Sequence, residues 1–129
     1  CAEAQGLKVY SGTGGSFAYV YGATRAKNGR SFICIRSTFT DHDGTVKSNI
    51  VPWLPEGSIV STLKNFVMYL VTEYGVADVF CKTLKDRIRA IIKIAHPDFR
   101  QELKDKINTS PLIGEDDWDG VDLFDNVEK

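Results

Sequence analysis

One acidic residue and one glycine-rich loop are the parts of this sequence best suited to chemistry. The acidic residue, Glu73, comes directly after a strongly apolar run at 66–72 (FVMYLVT). A carboxylate at the end of such a strand often lies at the edge of an α/β sheet, where binding sites form. Glu73 could there orient another group or act as an acid or base. The alternative is a structural carboxylate satisfied by a helix start or an arginine.

The glycine-rich loop occupies residues 11–16 (SGTGGS). Its glycines, among them Gly14 and Gly15, let the backbone approach a ligand closely and direct several amides to one spot. A helix beginning at Phe17, with Ser16 as its N-cap, would add its positive end, which favours a phosphate or a developing oxyanion. The loop matches neither the P-loop nor the dinucleotide-binding pattern. A tight turn between strand and helix, without a ligand, remains the alternative.

The two histidines are weaker candidates. His96 stands before Pro97 at a junction between two helical patterns, which favours a role as helix cap. His42 lies in a polar turn between Asp41 and Asp43, and no further ligand has a telling spacing. The sequence therefore predicts no metal site.

The three cysteines, Cys1, Cys34 and Cys81, are an odd number without metal-ligand spacing. Such a set favours reduced thiols in a cytoplasmic protein. Cys34 lies within an apolar run, so we predict a small buried hydrophobic residue there.

Strand patterns occupy the middle of the chain and helical patterns flank them. Apolar spacing predicts a helix over 17–27, ended by Asn28 and Gly29. The capping pattern at Thr83 and the position of Pro97 predict two further helices, with Phe99, Leu103 and Ile107 facing inward on the second. Strands are predicted at 30–38, 45–51, 58–63 and 66–72, of which the first is apolar enough for a central strand.

An acidic tail follows this body. Residues 111–129 hold seven acidic residues and one lysine, whereas residues 1–110 hold 15 basic and 10 acidic residues. We therefore divide the chain into a domain at 1–110 and a tail at 111–129. Trp118, Val121, Phe124 and Val127 recur every three residues, so the tail is expected to dock as a short amphipathic element.

Composition limits the class of protein. Hydrophobic residues make up 43% and charged residues 26%, as in a globular domain. No apolar run approaches the roughly 18 residues of a membrane span, so no membrane partner is predicted. The basic residues are spread along the chain, so no nucleic-acid partner is predicted either.

Several motifs together resemble one enzyme family. They are YSGTGG at 10–15, GA at 22–23 with NGRSF at 28–32, IVP at 50–52 with LPEGSIV at 54–60, VTEYGVAD at 71–78 and IAHPDFR at 94–100. In this order they resemble the acetyl-CoA hydrolase and CoA-transferase family, in the branch of 4-hydroxybutyrate and butyryl CoA-transferases. The resemblance covers roughly residues 3 to 107 of the sequence.

The resemblance implies a fold and a reaction. The fold is α/β, a CoA-transferase-type open sheet with flanking helices, here the carboxyl-terminal portion of a two-domain enzyme. The enzyme moves CoA between an acyl-CoA and a short carboxylic acid, such as acetate, butyrate or 4-hydroxybutyrate, through a glutamyl-CoA thioester. Its nucleophilic glutamate belongs to an upstream motif that this chain lacks. The implied partners are the amino-terminal portion of the same enzyme and, at full length, a second copy.

The resemblance also implies roles for individual residues. Ser11 and Gly15 match positions that lie against coenzyme A, and the amides of their loop, Gly14 included, are candidates to hold the thioester oxygen. Glu73 matches a supporting residue near the reacting carboxylate. Glu3 also falls in another family motif, so neither glutamate is the nucleophile.

Two departures from the family leave the function open in part. Residues 16–21 replace a segment that often carries an acid and an arginine, which puts the acyl preference in doubt. Residues 41–44 stand where many members carry a glycine loop with a lysine. An acyl-CoA hydrolase would use the same groups, and a non-catalytic CoA-binding or assembly module is the alternative outside enzymes.

Overall fold

The computed structural model describes residues 4–126. The elements in chain order are β1 Ala4–Gln5, β2 Lys8–Val9, α1 Ser16–Arg25, β3 Phe32–Cys34, β4 Thr38–Thr40, β5 Val46–Ser48, β6 Tyr69–Thr72, β7 Gly75–Asp78, α2 Leu84–Lys93, α3 Pro97–Asn108 and a 3-10 turn at Glu115–Trp118. The predicted mixed α/β character is confirmed. Val127 and the residues before Ala4, including Cys1 and Glu3, lie outside the described residues.

The main sheet has three strands in the order β3-β6-β7. Strands β3 and β6 are parallel, and β6 turns through Glu73 and Tyr74 into the antiparallel β7. The strand predicted at 66–72 is present only as Tyr69–Thr72, since Phe66 lies in a turn, and β7 was missed because it is short and follows the turn directly. The predicted central position of the strand at 30–38 is wrong for the described sheet, since β6 occupies the centre.

Strand β3 is less buried than its composition suggested. It pairs with β6 alone among the described strands, and Phe32 is 56% exposed. Cys34 is exposed as well, so the prediction of a buried cysteine there is wrong. An apolar sequence run does not reveal whether both faces of a strand are covered.

Two predicted strands are shorter than expected or absent. Residues 45–51 contribute only β5, which pairs with β4 in a separate two-stranded ribbon across the turn at 41–44. Residues 58–63 form no strand. A turn at residues 55–58 precedes this irregular segment, since Pro55 O accepts hydrogen bonds from both Ser58 N and Ser58 Oγ, and Gly57 has a φ of +78°.

The helix predictions agree with the structure because they rest on local signals. Thr83 Oγ1 caps α2 by accepting from Asp86 N at 3.2 Å. His96 Nδ1 caps α3 by accepting from Asp98 N, and Pro97 is the first residue of that helix. Helix α1 begins one residue earlier than predicted and ends at Arg25, two residues before the predicted end. Gly15 is its N-cap, without a side-chain bond, so the assignment of Ser16 as N-cap is wrong.

The core lies between β7 and the last two helices, and the tail completes it. Ala77, Val79, Ile92, Ala95 and Leu103 are buried together. Ile113, Trp118 and Leu123 of the tail join the same cluster. Docking of the tail is confirmed, although Leu123 is buried in place of the expected Phe124. No helix of the described residues is long and apolar enough to cross a membrane.

Candidate functional site

The carboxyl ends of β3 and β6 meet at one edge of the sheet, because the two strands are parallel. Glu73 directly follows β6, and Ser37 lies three residues beyond β3. Ser37 Oγ donates to Glu73 Oε1 at 2.5 Å, and Ser37 N donates to Oε2 at 3.0 Å. The exposed carboxylate of Glu73 is therefore held at a fixed place by a buried serine.

These hydrogen bonds also keep Glu73 ionised. The Ser37 hydroxyl is the largest cause of a pKa for Glu73 below its ordinary value, and backbone N–H groups add to it. Partial burial acts in the opposite direction, and the charge of His96 lowers the pKa a little further. A carboxylate of this kind suits orienting a neighbouring group and is poorly suited to donating a proton near neutral pH.

Two aromatic rings contact each other at the turn that carries Glu73. Tyr74 and His96 meet edge to face, with ring centroids 5.3 Å apart. His96 Nδ1 is occupied by the cap of α3. The structural interpretation of His96 is thus confirmed, and its ring in addition packs against the turn that carries Glu73.

The glycine-rich loop lies at a different place along β3. Gly14 has a φ of +59°, which favours glycine, and the loop residues 11–15 are exposed. Ser11 Oγ donates to Gly12 O at 2.9 Å. Gly15, at the start of α1, lines an open groove of about 470 Å³ together with Tyr19, Arg30 and Phe32.

The candidate residues thus form two groups. Gly15 lines the groove beside the start of β3, with Gly14 next to it in the chain, while Glu73 contacts Ser37 beyond the end of that strand. An extended residue advances about 3.3 Å, so the four steps along the chain from Ile33 to Ser37 span about 13 Å when extended. An elongated ligand lying along β3 could reach both groups.

Sequence reasoning missed Ser37. The signal that could have found it is positional, since Ser37 and Glu73 both follow apolar strands, and parallel strands end at the same edge. The pairing of β3 with β6 had to be known first, and no local pattern reports it.

The turn around His42 is occupied by its own hydrogen bonds. Asp41 Oδ1 accepts from Asp43 N and Thr45 N, and Asp41 Oδ2 pairs with Lys47 at 2.6 Å. The described residues contain no cluster of three metal-ligating side chains. Asp41 therefore serves to shape the β4–β5 turn.

Known proteins resemble this chain in sequence and in fold. Residues 1–107 match the family described as acetyl-CoA hydrolase/transferase C-terminal domain. The butyryl-CoA:acetate CoA-transferase of Anaerostipes caccae is 46% identical over 102 residues, which are 79% of this chain and 23% of that protein.

Two solved structures share the fold. RipA from Yersinia pestis superposes with a TM-score of 0.73 at 37% identity, over 87% of this chain and 24% of that one. The 4-hydroxybutyrate CoA-transferase of Porphyromonas gingivalis gives a TM-score of 0.59 at 42% identity, over 74% of this chain and 22% of that one. The chain spans about a quarter of the length of the curated relatives it matches.

Proposed function

This chain belongs to the acetyl-CoA hydrolase/transferase family, whose C-terminal domain its residues 1–107 match, and we propose that the whole protein moves CoA between an acyl-CoA and a short carboxylic acid. The observation that carries the proposal is the 46% identity to a butyryl-CoA:acetate CoA-transferase. The fixed, ionised Glu73 and the exposed glycine-rich loop are consistent with it.

The proposed reaction uses a glutamate supplied by sequence outside this chain. Its carboxylate attacks the carbonyl carbon of the acyl-CoA, giving a mixed anhydride and releasing the CoA thiolate. The thiolate then attacks the glutamyl carbonyl, which releases the first carboxylic acid and leaves a glutamyl-CoA thioester. A second carboxylate reverses both steps and departs as the new acyl-CoA.

In this proposal the loop 11–15 holds the thioester end of the ligand. Each carbonyl attack places negative charge on an oxygen, and backbone N–H groups at a helix start stabilise such charge. Gly15 is the N-cap of α1, and the backbone around Gly14 has the positive φ that a residue with a side chain rarely adopts. Ser11 and Gly15 would lie against coenzyme A.

Glu73 supports the reacting carboxylate without becoming the nucleophile. Its two oxygens already accept three hydrogen bonds from Ser37. Hydrogen bonding lowers both the pKa and the nucleophilicity of a carboxylate. A fixed negative charge at this sheet edge can instead orient the polar groups that contact the nucleophilic glutamate.

The amino-terminal portion of the same enzyme is the proposed partner of the exposed apolar face. Phe32 and Tyr69 stack at 4.9 Å on the main sheet, and Val76 of β7 is 58% exposed. Isolated exposed apolar residues are ordinary, but a set along one small sheet fits a surface covered by another part of the protein.

In this proposal, residues 16–21 contribute to the selection of the acyl group. Tyr19 is 83% exposed, and its ring lies 3.4 Å from the place where a Cβ on Gly15 would stand. Tyr19 therefore limits the space beside the loop. We propose that it favours short acyl groups.

The test is a product analysis of the whole protein supplied with butyryl-CoA and acetate. A transferase forms acetyl-CoA and butyrate without free CoA, and intact mass shows a covalent CoA adduct when acetate is omitted. Free CoA without acetyl-CoA would instead identify a hydrolase. Neither product, with no adduct, would identify a non-catalytic module and overturn the proposal.

Glu73→Ala tests the supporting role. We expect kcat to fall by a larger factor than KM for the acyl-CoA changes, because the carboxylate acts on the reaction and not on CoA binding. Steady-state kinetics of the whole protein measure both constants. An unchanged kcat would reduce Glu73 to a structural residue.

A further inference from the structure

The tail reaches the turn that carries Glu73. Asn126 Nδ2 donates to Tyr74 O at 2.5 Å and to Lys93 O at 3.1 Å. Tyr74 is the residue after Glu73, so a single amide of the tail joins the site turn to the end of α2. The family match ends at residue 107, well before Asn126.

Arg100 fixes the orientation of the Asn126 side chain. It is completely buried, and its Nη1 donates to Asn126 Oδ1 at 2.8 Å and to Leu123 O. Its Nε donates to Ala95 O at 2.9 Å. Because Oδ1 faces Arg100, the amide nitrogen of Asn126 must face the carbonyls of Tyr74 and Lys93.

Aromatic contacts make the same connection a second time. The guanidinium carbon of Arg100 lies 5.7 Å from the centroids of both the Tyr74 ring and the Phe124 ring. Both distances lie within the range in which a cation is attracted to an aromatic ring. The side chain of Arg100 thus lies between one ring of the turn and one ring of the tail.

The turn itself leaves room for this contact. Gly75 has a φ of +142°, and a Cβ there would stand 3.2 Å from Asn126 Nδ2. Thr72 Oγ1 donates to Ile94 O at 2.6 Å and accepts from Tyr74 N at 3.1 Å, which ties the other side of the turn to the end of α2. The helix end and the tail therefore both contact residues 72–75, the turn that contains Glu73.

We propose that Leu123, Phe124 and Asn126, the tail residues in contact with Arg100, act as a strap in which Asn126 is a positioning residue for Glu73. The strap fixes the peptide of Tyr74, and through it the direction in which the carboxylate of Glu73 leaves the sheet edge. This inference rests on the proposed role of Glu73 in CoA transfer. It assigns to the tail a function in the site that the family motifs do not cover.

The test compares two neighbouring substitutions in the whole protein. Asn126→Asp keeps an oxygen for Arg100 but replaces the amide that donates to Tyr74 O and Lys93 O by a second acceptor. Asp125→Asn is the matched control, because it breaks the exposed ion pair of the tail with Lys93, at 2.5 Å, without touching the turn. Hydrogen–deuterium exchange of the peptide covering 69–78 and steady-state kinetics are measured for both.

For Asn126→Asp we expect faster exchange across the turn and a fall in kcat of about tenfold or more, since small displacements of site groups can cost up to about 100-fold. KM for the acyl-CoA should change less than about twofold, because the binding loop is elsewhere. Asp125→Asn should resemble the unaltered protein in both measurements.

Three results decide against the inference. Unchanged exchange of 69–78 in Asn126→Asp would show that no strap holds the turn. Faster exchange with unchanged kcat would show a strap without a positioning role. An equal loss of kcat in both variants would show that the tail acts through general stability. If the unaltered protein transfers no CoA, the proposed function is wrong, and the catalytic part of the inference is wrong with it. Hydrogen–deuterium exchange of residues 69–78 then still decides whether the tail holds the turn.

Discussion

At the scale of single residues, the position of the Glu73 carboxylate depends on one hydroxyl. Ser37 is fully buried and places its Oγ and N on the two oxygens of Glu73. Hydrogen bonds to an ionised acceptor are about twice as strong as neutral ones, so this serine contributes both position and charge state.

Ser37→Ala should raise the pKa of Glu73 toward its ordinary value, since the hydroxyl is the largest cause that lowers it. The bond stabilises the fold above the unfolded-state pKa of about 4.3 and loses its effect as pH falls through the lower folded-state value. The variant should therefore lose activity at a higher pH on the acidic side of its pH profile. It should also lack the contribution that this bond makes to the free energy of unfolding near neutral pH. The pH profile of kcat/KM and acid unfolding measure the two effects.

Ser31→Ala is the matched control for that substitution, because Ser31 Oγ is buried without a hydrogen-bond partner in the described part of the chain. Its pH profile should match that of the unaltered protein. An unmoved acidic limb in Ser37→Ala would contradict the assignment of Glu73 to the site.

Gly15→Val tests the loop at the same scale. The backbone of Gly15 has a φ of −93°, which valine tolerates, and the nearest neighbour of the new Cβ is the ring of Tyr19 at 3.4 Å. The fold should thus persist while kcat/KM falls by about 100-fold or more, since amides that hold an oxyanion contribute about that much. Gly22→Val, at an open position of the same helix, is the control. Full activity in Gly15→Val would remove the loop from the site.

At the scale of elements, the connection from α1 to β3 depends on a close approach. A Cβ on Gly29 would stand 2.1 Å from Ala23 O, and Asn28 before it takes the positive φ of 57°. The pair was expected to end the helix, but α1 already ends at Arg25 with Ala26 as its C-cap, so Asn28 and Gly29 instead shape the connection that follows. Asn28 makes the left-handed turn and Gly29 makes room for the helix backbone.

Gly29→Ala should therefore destabilise the protein by about 1 to 3 kcal/mol, because the helix must move away from the connection. Gly22→Ala on the exposed side of α1 meets nothing within 4 Å and should stabilise by about 0.5 to 1 kcal/mol. Chemical denaturation measures both. Equal stability of the two variants would contradict the close approach.

The elements that could be predicted from sequence are those with local causes. Thr83 and His96 cap α2 and α3 with their own side chains, so their helices were visible in the sequence. Glu73 could be placed at a strand end because the run before it is apolar. The contacts of Ser37 and Asn126 join residues 36 and 52 positions apart, and no periodicity reports such pairs. The strand at 58–63 failed for the same reason, since strand propensity says nothing about a partner.

At the scale of the whole molecule, the tail is part of the core. Trp118 is 5% exposed, its Nε1 donates to Asn108 Oδ1 at 2.8 Å, and Lys104 lies over its ring at 5.4 Å. Burial of a large aromatic side chain is one of the larger contributions that a single residue makes to stability.

Trp118→Ala should lower the free energy of unfolding by about 3 to 5 kcal/mol, the usual cost of emptying a buried aromatic site. Trp118→Phe keeps most of the apolar volume and loses the bond to Asn108, so its cost should be clearly smaller. Thermal and chemical denaturation of the whole protein compare the two. A cost below about 1 kcal/mol for Trp118→Ala would mean that the tail is a surface segment only.

The acidic tail also determines how the molecule presents its charge. Asp117 pairs with Lys85 at 2.8 Å, Asp125 with Lys93 at 2.5 Å and Glu115 with Lys104 at 3.4 Å. Each partly exposed pair adds only about 0 to 1 kcal/mol to stability. Their larger effect is that the tail serves as an internal counter-ion for α2 and α3. These pairs reduce the positive charge that the two helices present, so their electrostatic attraction for a phosphate is weaker than the composition of residues 1–110 alone suggests.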